Sequence, residues 1–135
     1  MEHGGDRTGE QGALRPPRLS GRLSSFRYAA RGLRELVARE PNARIHAAAT
    51  LAVCGLALGL GLSRLEWCVL VLAIGLVWLA EALNTALEQL CDLVSREEHP
   101  LVARAKDLAA GGVLAAALAA ALVGLLLFGG RWLSR

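Results

Sequence analysis

The sequence predicts an all-α integral membrane protein, with three transmembrane helices behind an N-terminal amphipathic surface helix. Three observations carry that prediction. Three long runs, within Ile45–Leu62, Trp67–Ala80 and Leu108–Gly130, contain no Asp, Glu, Lys or Arg. Hydrophobic residues make up 54 % of the 135-residue chain, charged ones only 20 %, and the mean hydropathy is +0.41. An Arg-rich stretch with helical apolar periodicity precedes the first run.

Residues 1–18 carry Gly4, Gly5, Gly9, Gly12, Pro16 and Pro17 and few side chains able to bury area. They are expected to form a disordered cytoplasmic tail. The start is polar, without the apolar core of a secretory signal, so the first span is expected to serve as the insertion signal. The remainder, 19–135, is expected to form one membrane domain.

A surface helix is predicted over 20–40. Leu19, Leu23, Phe26, Ala30, Leu33 and Val37 fall on one face, with Arg22, Arg27, Arg31 and Arg34 beside or opposite it. Ser20 suits an N-cap, and Pro41 ends the helix. Such a helix lies in a membrane interface or packs on a soluble core; the spans that follow directly favour the interface.

The first membrane helix is predicted at about 45–62, and its 18 residues reach roughly 27 Å at about 1.5 Å per residue. Gly55, Gly59 and Gly61 are expected to permit close helix approach. Ser63-Arg64-Leu65-Glu66 reads as a tight turn, with Glu66, Trp67 and later Trp132 as interfacial anchors. The second helix is predicted at about 66–94, only its first half purely apolar. A polar loop from Ser95 to Pro100 leads to a third helix at about 101–130. Its Ala-rich part, Ala109–Ala121 with Gly111 and Gly112, reads as a close-packing face. Cys54, Cys68 and Cys91 match no metal or CxxC spacing and read as core or lipid-facing thiols.

Charge placement orients the chain. The net charge of +3 and pI near 9.1 would suit nucleic acid, but the apolar runs argue against that partner. The N-terminal region and the 95–107 loop hold 12 of the 15 Lys and Arg residues. The positive-inside bias places both, and the polar end of the second helix, on the cytoplasmic side of a multi-pass protein in the cell membrane.

That polar end carries the chemistry. Glu81, Asn84, Glu88 and Asp92 lie at offsets 0, 3, 7 and 11, within an arc of roughly 80 degrees on a helix. Ionisable groups beside hydrocarbon are costly and tend to face a bundle interior with a task or a partner. Lys106 and Asp107, with Arg104, stand at the same end of the next helix, and Glu40-Pro41-Asn42 at that of the first. Carboxylates that hold Mg²⁺, a Lys for phosphate charge and a further carboxylate for a hydroxyl nucleophile are the parts of phosphoryl transfer. There is no GxxxxGK[ST] loop and no kinase GxGxxG. The same stripe also suits interhelical hydrogen bonding, or an ion path in a small membrane transporter. Asn84 alone serves as interhelical glue as well as catalysis, and Trp78 reads as packing or lipid contact.

Several separated blocks resemble one family. Phe26 and Gly32, Glu40-Pro-Asn42-Ala-Arg44-Ile-His46, Leu65-Glu66-Trp67, Glu81-x-x-Asn84-Thr85-Ala86-x-Glu88-x-x-x-Asp92, His99-Pro100-Leu101 and Ala105-Lys106-Asp107-x-Ala109-Ala110-Gly111 stand in order. They resemble the small prokaryotic diacylglycerol and undecaprenol kinases across about residues 20–130. One departure is Ala110-Gly111-Gly112-Val113, where undecaprenol-type members commonly read Ala-Gly-Ala-Val. The resemblance implies transfer of the γ-phosphate of ATP to a membrane lipid alcohol, undecaprenol or diacylglycerol, by a homotrimer with shared sites. It implies Glu40 and Glu88 as ligands of Mg²⁺ and Lys106 against the phosphates. It implies Glu81 as base toward the lipid hydroxyl, with Asn84, Asp92 and Asp107 orienting lipid, nucleotide or neighbouring groups.

Overall fold

The computed structural model describes residues 19–94 and 99–133, with side chains described for 24–94 and 99–131. The tail 1–18, most of the 95–100 loop and the side chain of Trp132 lie outside the described residues. Four helices follow in order: α1 (Leu19–Arg39), α2 (Pro41–Leu60), α3 (Arg64–Val94) and α4 (Pro100–Leu133). Among the described residues there is no strand. α2, α3 and α4 are each long and apolar enough to cross a membrane. The all-α expectation of three spans behind an N-terminal helix is met.

Helix boundaries follow local chemistry. α1 is described from Leu19, and the cap expected at Ser20 rests on a side chain outside the described ones. Pro41 does end α1, but it also opens α2 at once. Its ring disfavours helical backbone at Glu40, which is extended at φ −93 and ψ 120, while its own fixed φ suits the first helical position. α2 thus starts before the apolar run, because the polar turn Pro41-Asn42-Ala43-Arg44 is helical too. Glu40 is the single residue separating α1 from α2. Arg44 crosses the break: its Nε donates to Val37 O at 3.2 Å and its Nη2 to Ala38 O. The last carbonyls of α1 gain donors that the helix itself cannot supply.

α2 ends in a Schellman turn. Gly61 takes φ +64, its N–H donates to Leu58 O, and that of Leu62 donates to Ala57 O, both at 3.2 Å. α3 opens on a reciprocal cap. The Ser63 N–H donates to Glu66 Oε2 at 2.7 Å, and the Glu66 N–H approaches Ser63 Oγ at 3.4 Å. The stretch read as a tight turn therefore contains a helix start. Arg131, at the far end of α4, closes over this turn. It reaches Glu66 Oε2 at 2.7 Å and donates to Leu60 O at 2.6 Å and Gly61 O at 3.1 Å.

The buried apolar cluster sits at this same end. Ala57, Leu62 and Leu70 form it, with Val53, Leu60, Trp67, Ile74, Leu127 and Phe128 packed against them. Leu51, Leu58, Leu72, Leu118 and Leu126 are exposed on the outer faces, as expected where hydrocarbon replaces water. The small residues of the spans divide between outer and inner faces. A methyl group added at Gly55, Gly59, Gly111 or Gly112 would meet no atom within 4 Å. These glycines are exposed on outer faces, so no neighbouring helix of the same chain approaches them. Inside the bundle, α4 presents alanines instead, with Ala116 buried. Cys54, Cys68 and Cys91 are free thiols, half-buried or exposed.

Candidate functional site

The opposite end of the bundle is polar within. Asn42, Ile45 and His46 of α2 meet Glu81, Asn84 and Glu88 of α3 and Ala110, Val113, Leu114 and Ala117 of α4 around a cavity of about 310 Å³. Each contribution follows from helical spacing. Asn42, Ile45 and His46 share one face of α2, and Glu81, Asn84 and Glu88 share one face of α3. The α4 wall is built from apolar and mostly small side chains, which leave the space open.

Burial separates the members of the stripe. Glu81 is 2 % exposed and Asn84 8 %, whereas Glu88 is half-buried and Asp92 exposed. Asn84 Nδ2 donates to Glu88 Oε1 at 3.0 Å, which fixes that carboxylate one turn along. Glu81 Oε2 and Asn84 Oδ1 are buried without a hydrogen-bond partner. Unmatched buried acceptors are uncommon and costly, and both belong to residues that line one cavity. His46 Nε2 lies 3.9 Å from Glu81 Oε2, at ion-pair range but beyond hydrogen-bonding range.

The remaining sequence candidates fall at the margin. Lys106 of α4 donates from Nζ to Asp92 Oδ1, linking α4 to the end of α3. This pair does not line the cavity. Asp107 is exposed and does not line it either. Glu40 is half-buried and lines a separate groove of about 700 Å³ between α1 and α3, with Leu36, Arg39, Trp78, Thr85 and Gln89. Glu81, Asn84 and Glu88 are thus gathered in one cavity, while Glu40, Asp92, Lys106 and Asp107 surround it. Among the described residues, no group of three or more His, Cys, Asp or Glu side chains is placed to hold a metal ion by itself.

Two contributors were not assigned a role from sequence. His46 stood at the start of a span and closed the Glu40–His46 block of the family resemblance, but no task was attached to it. Its spacing of four from Asn42 was the available signal. Thr50 continues the same face one turn on. Its Oγ1 donates to His46 O at 2.7 Å and accepts from Trp78 Nε1 at 3.2 Å, pinning α2 to α3 beside the cavity. Trp78 accordingly acts in packing, consistent with the sequence expectation, and through a specific bond.

Residues 27–128 match the family model described as prokaryotic diacylglycerol kinase. The chain is 42 % identical over 106 residues to an undecaprenol kinase of Bacillus subtilis, covering 78 % of this chain and 86 % of that protein. It is 47 % identical over 103 residues to a diacylglycerol kinase of Synechocystis, covering 76 % of this chain but 59 % of that protein. A diacylglycerol kinase of Escherichia coli is 32 % identical over 93 residues, with 69 % and 76 % covered. The match spans α2, α3 and nearly all of α4, and it includes every residue of the polar cavity. The chain is a multi-pass membrane protein and a kinase, and it belongs to the prokaryotic diacylglycerol kinase family.

Proposed function

We propose that this protein transfers the γ-phosphate of MgATP to the hydroxyl of a membrane lipid alcohol, undecaprenol or diacylglycerol, giving undecaprenyl phosphate or phosphatidic acid. The observation that carries this reading is the pair of buried, unpartnered acceptors, Glu81 Oε2 and Asn84 Oδ1, on residues lining a cavity between apolar spans. A lipid hydroxyl entering from the hydrocarbon side meets acceptors there and a solvated, charged rim beyond. Kinase relatives named for undecaprenol and for diacylglycerol support both acceptors. An ion path explains the carboxylates but not the kinase family.

In this reading Glu81 accepts the proton as the lipid oxygen attacks the γ-phosphorus. The new O–P bond forms while the bond from γ-phosphorus to the β,γ-bridging oxygen breaks, and ADP leaves. Asn84 holds Glu88 and orients the hydroxyl or the phosphate. Lys106, with Asp92 and Asp107 beside it, meets the nucleotide phosphates at the rim. The donor set fits Mg²⁺. It is oxygen-based, and Mg²⁺ requires only one or two protein carboxylates when phosphates and water complete its shell. Glu88 and Glu40 would hold it, and when bound it neutralises charge on the phosphate oxygens. The positive-inside bias supports a cytoplasmic-membrane protein with this end facing the cytoplasm. Assembly as a homotrimer with shared sites belongs to the same reading; the wide apolar outer faces and the separation of Glu40 from the cavity of its own chain support it.

The test is an assay of purified protein in mixed micelles with labelled ATP and each lipid in parallel. Phosphorylation of one or both alcohols is expected. A folded protein that phosphorylates neither overturns the proposal.

A further inference from the structure

His46 stands where two cavities meet. It lines the polar cavity with Asn42, Glu81, Asn84 and Glu88, and also an apolar cavity of about 410 Å³ that runs between α2, α3 and α4 toward Phe128. Ala117 of α4 lines both as well, so the two spaces are neighbours along one wall. At this junction a hydroxyl would sit in the polar space and the hydrocarbon attached to it in the apolar one.

The electrostatic setting of Glu81 is lopsided. α2 brings Asn42 and His46, with Glu40 just before it, and α3 brings Asn84 and Glu88. The α4 wall, Ala110, Val113, Leu114 and Ala117, carries no charge. Glu35 and Arg39 of α1 lie in the groove on the Thr85 side of α3. Among the described residues, His46 is the basic side chain that lines the cavity. Its Nε2 is 3.9 Å from Glu81 Oε2, the buried oxygen without a hydrogen-bond partner. Shortening of that gap by about 1 Å makes a charge-assisted hydrogen bond. The His46 side chain is 18 % exposed and that of Glu81 3 %, so little water competes for the contact. The Trp78–Thr50 bond, with Thr50 also bonded to the His46 carbonyl, holds this turn of α2 against α3.

We propose that His46 is a positioning residue for the phosphoryl-transfer step, holding the Glu81 carboxylate aimed at the acceptor hydroxyl where the polar and apolar cavities meet. The inference rests on the reading of Glu81 as the base. His46 acts through Glu81, so its loss affects the chemical step and not nucleotide binding.

The test compares His46→Ala, His46→Gln, Glu81→Gln and the double variants in mixed micelles with ATP and both lipid alcohols, after circular dichroism and gel filtration establish folding. His46→Ala lowers kcat by about 10- to 100-fold and leaves KM for ATP within about twofold of the parent. His46→Gln, which keeps a donor but no charge, recovers part of the loss. His46→Ala/Glu81→Gln is no slower than Glu81→Gln alone, since the two act as a unit. Unchanged kcat in folded His46→Ala, or losses that multiply in the double variant, overturns the inference and leaves the base assignment standing. Normal turnover in Glu81→Gln removes the base assignment itself, and the inference with it. Should His46→Ala not fold, His46→Gln and its double variant decide by the same comparison.

Discussion

Arg131 and Glu66, 65 residues apart in the chain, meet through a two-point contact: Nη2 to Oε2 at 2.7 Å and Nε to Oε1 at 3.3 Å. The same guanidinium caps the last carbonyls of α2. One side chain therefore joins the end of α4, the end of α2 and the start of α3.

Replacing Arg131 by Ala is expected to lower the thermal unfolding midpoint in micelles, and Arg131→Lys to restore only part of it. An ammonium cannot reproduce the fork that meets Glu66 and two carbonyls together. The loss in Arg131→Ala/Glu66→Gln is expected to be smaller than the sum of the single losses. kcat stays close to the parent value, because the contact lies at the bundle end opposite Glu81.

Gly61→Ala tests the turn itself. A Cβ at φ +64 is strained even though no neighbour stands within 4 Å. A loss of about 1 kcal/mol is expected from the backbone alone. Unfolding in bicelles, compared with Gly59→Ala as a helical control of ordinary φ, measures it.

At the polar end, Glu88→Gln is expected to lower turnover by on the order of 10³-fold, in line with loss of a metal-linked charge in phosphoryl transfer. The oligomer and the fold are expected to survive, because Asn84 still has an acceptor at position 88. Asn84→Ala removes the donor to Glu88 and is expected to cost on the order of 10²-fold in kcat. Activity titrated against Mg²⁺ separates the two. Glu88→Gln raises the Mg²⁺ requirement far more than Asn84→Ala.

Lys106 is bonded to Asp92. Lys106→Ala is expected to raise KM for ATP and to lower kcat/KM by on the order of 10²-fold. Asp92→Asn, which frees the ammonium, is expected to cost less. Steady-state kinetics with ATP as the varied substrate distinguishes a phosphate contact from a purely structural tie, which would leave KM unchanged.

The spans were legible in sequence because hydrocarbon demands long apolar runs, and these leave an unambiguous pattern. Their polar first turns were not. Pro41-Asn42-Ala43-Arg44 is helical for reasons of proline geometry, which hydropathy does not register. Glu81, Asn84 and Glu88 could be grouped from a single helix's periodicity. The partition between cavity and rim could not, since it depends on how α2 and α4 dock against α3. The glycines show the same limit: a small residue marks where something can approach, and nothing in one helix says what does. His46 went without a role because its significance lies across a helix pair, 35 positions from Glu81.

The buried apolar cluster and the polar cavity occupy opposite ends of the bundle. Ala57, Leu62 and Leu70 are packed under the Arg131 clasp, whereas Glu81, Asn84 and Glu88 line a cavity. The Arg131 clasp and the polar cavity thus lie at opposite ends of the three spans. Residues that keep the bundle folded and residues that line the cavity are therefore largely different, so a change at one end can be read without disturbing the other.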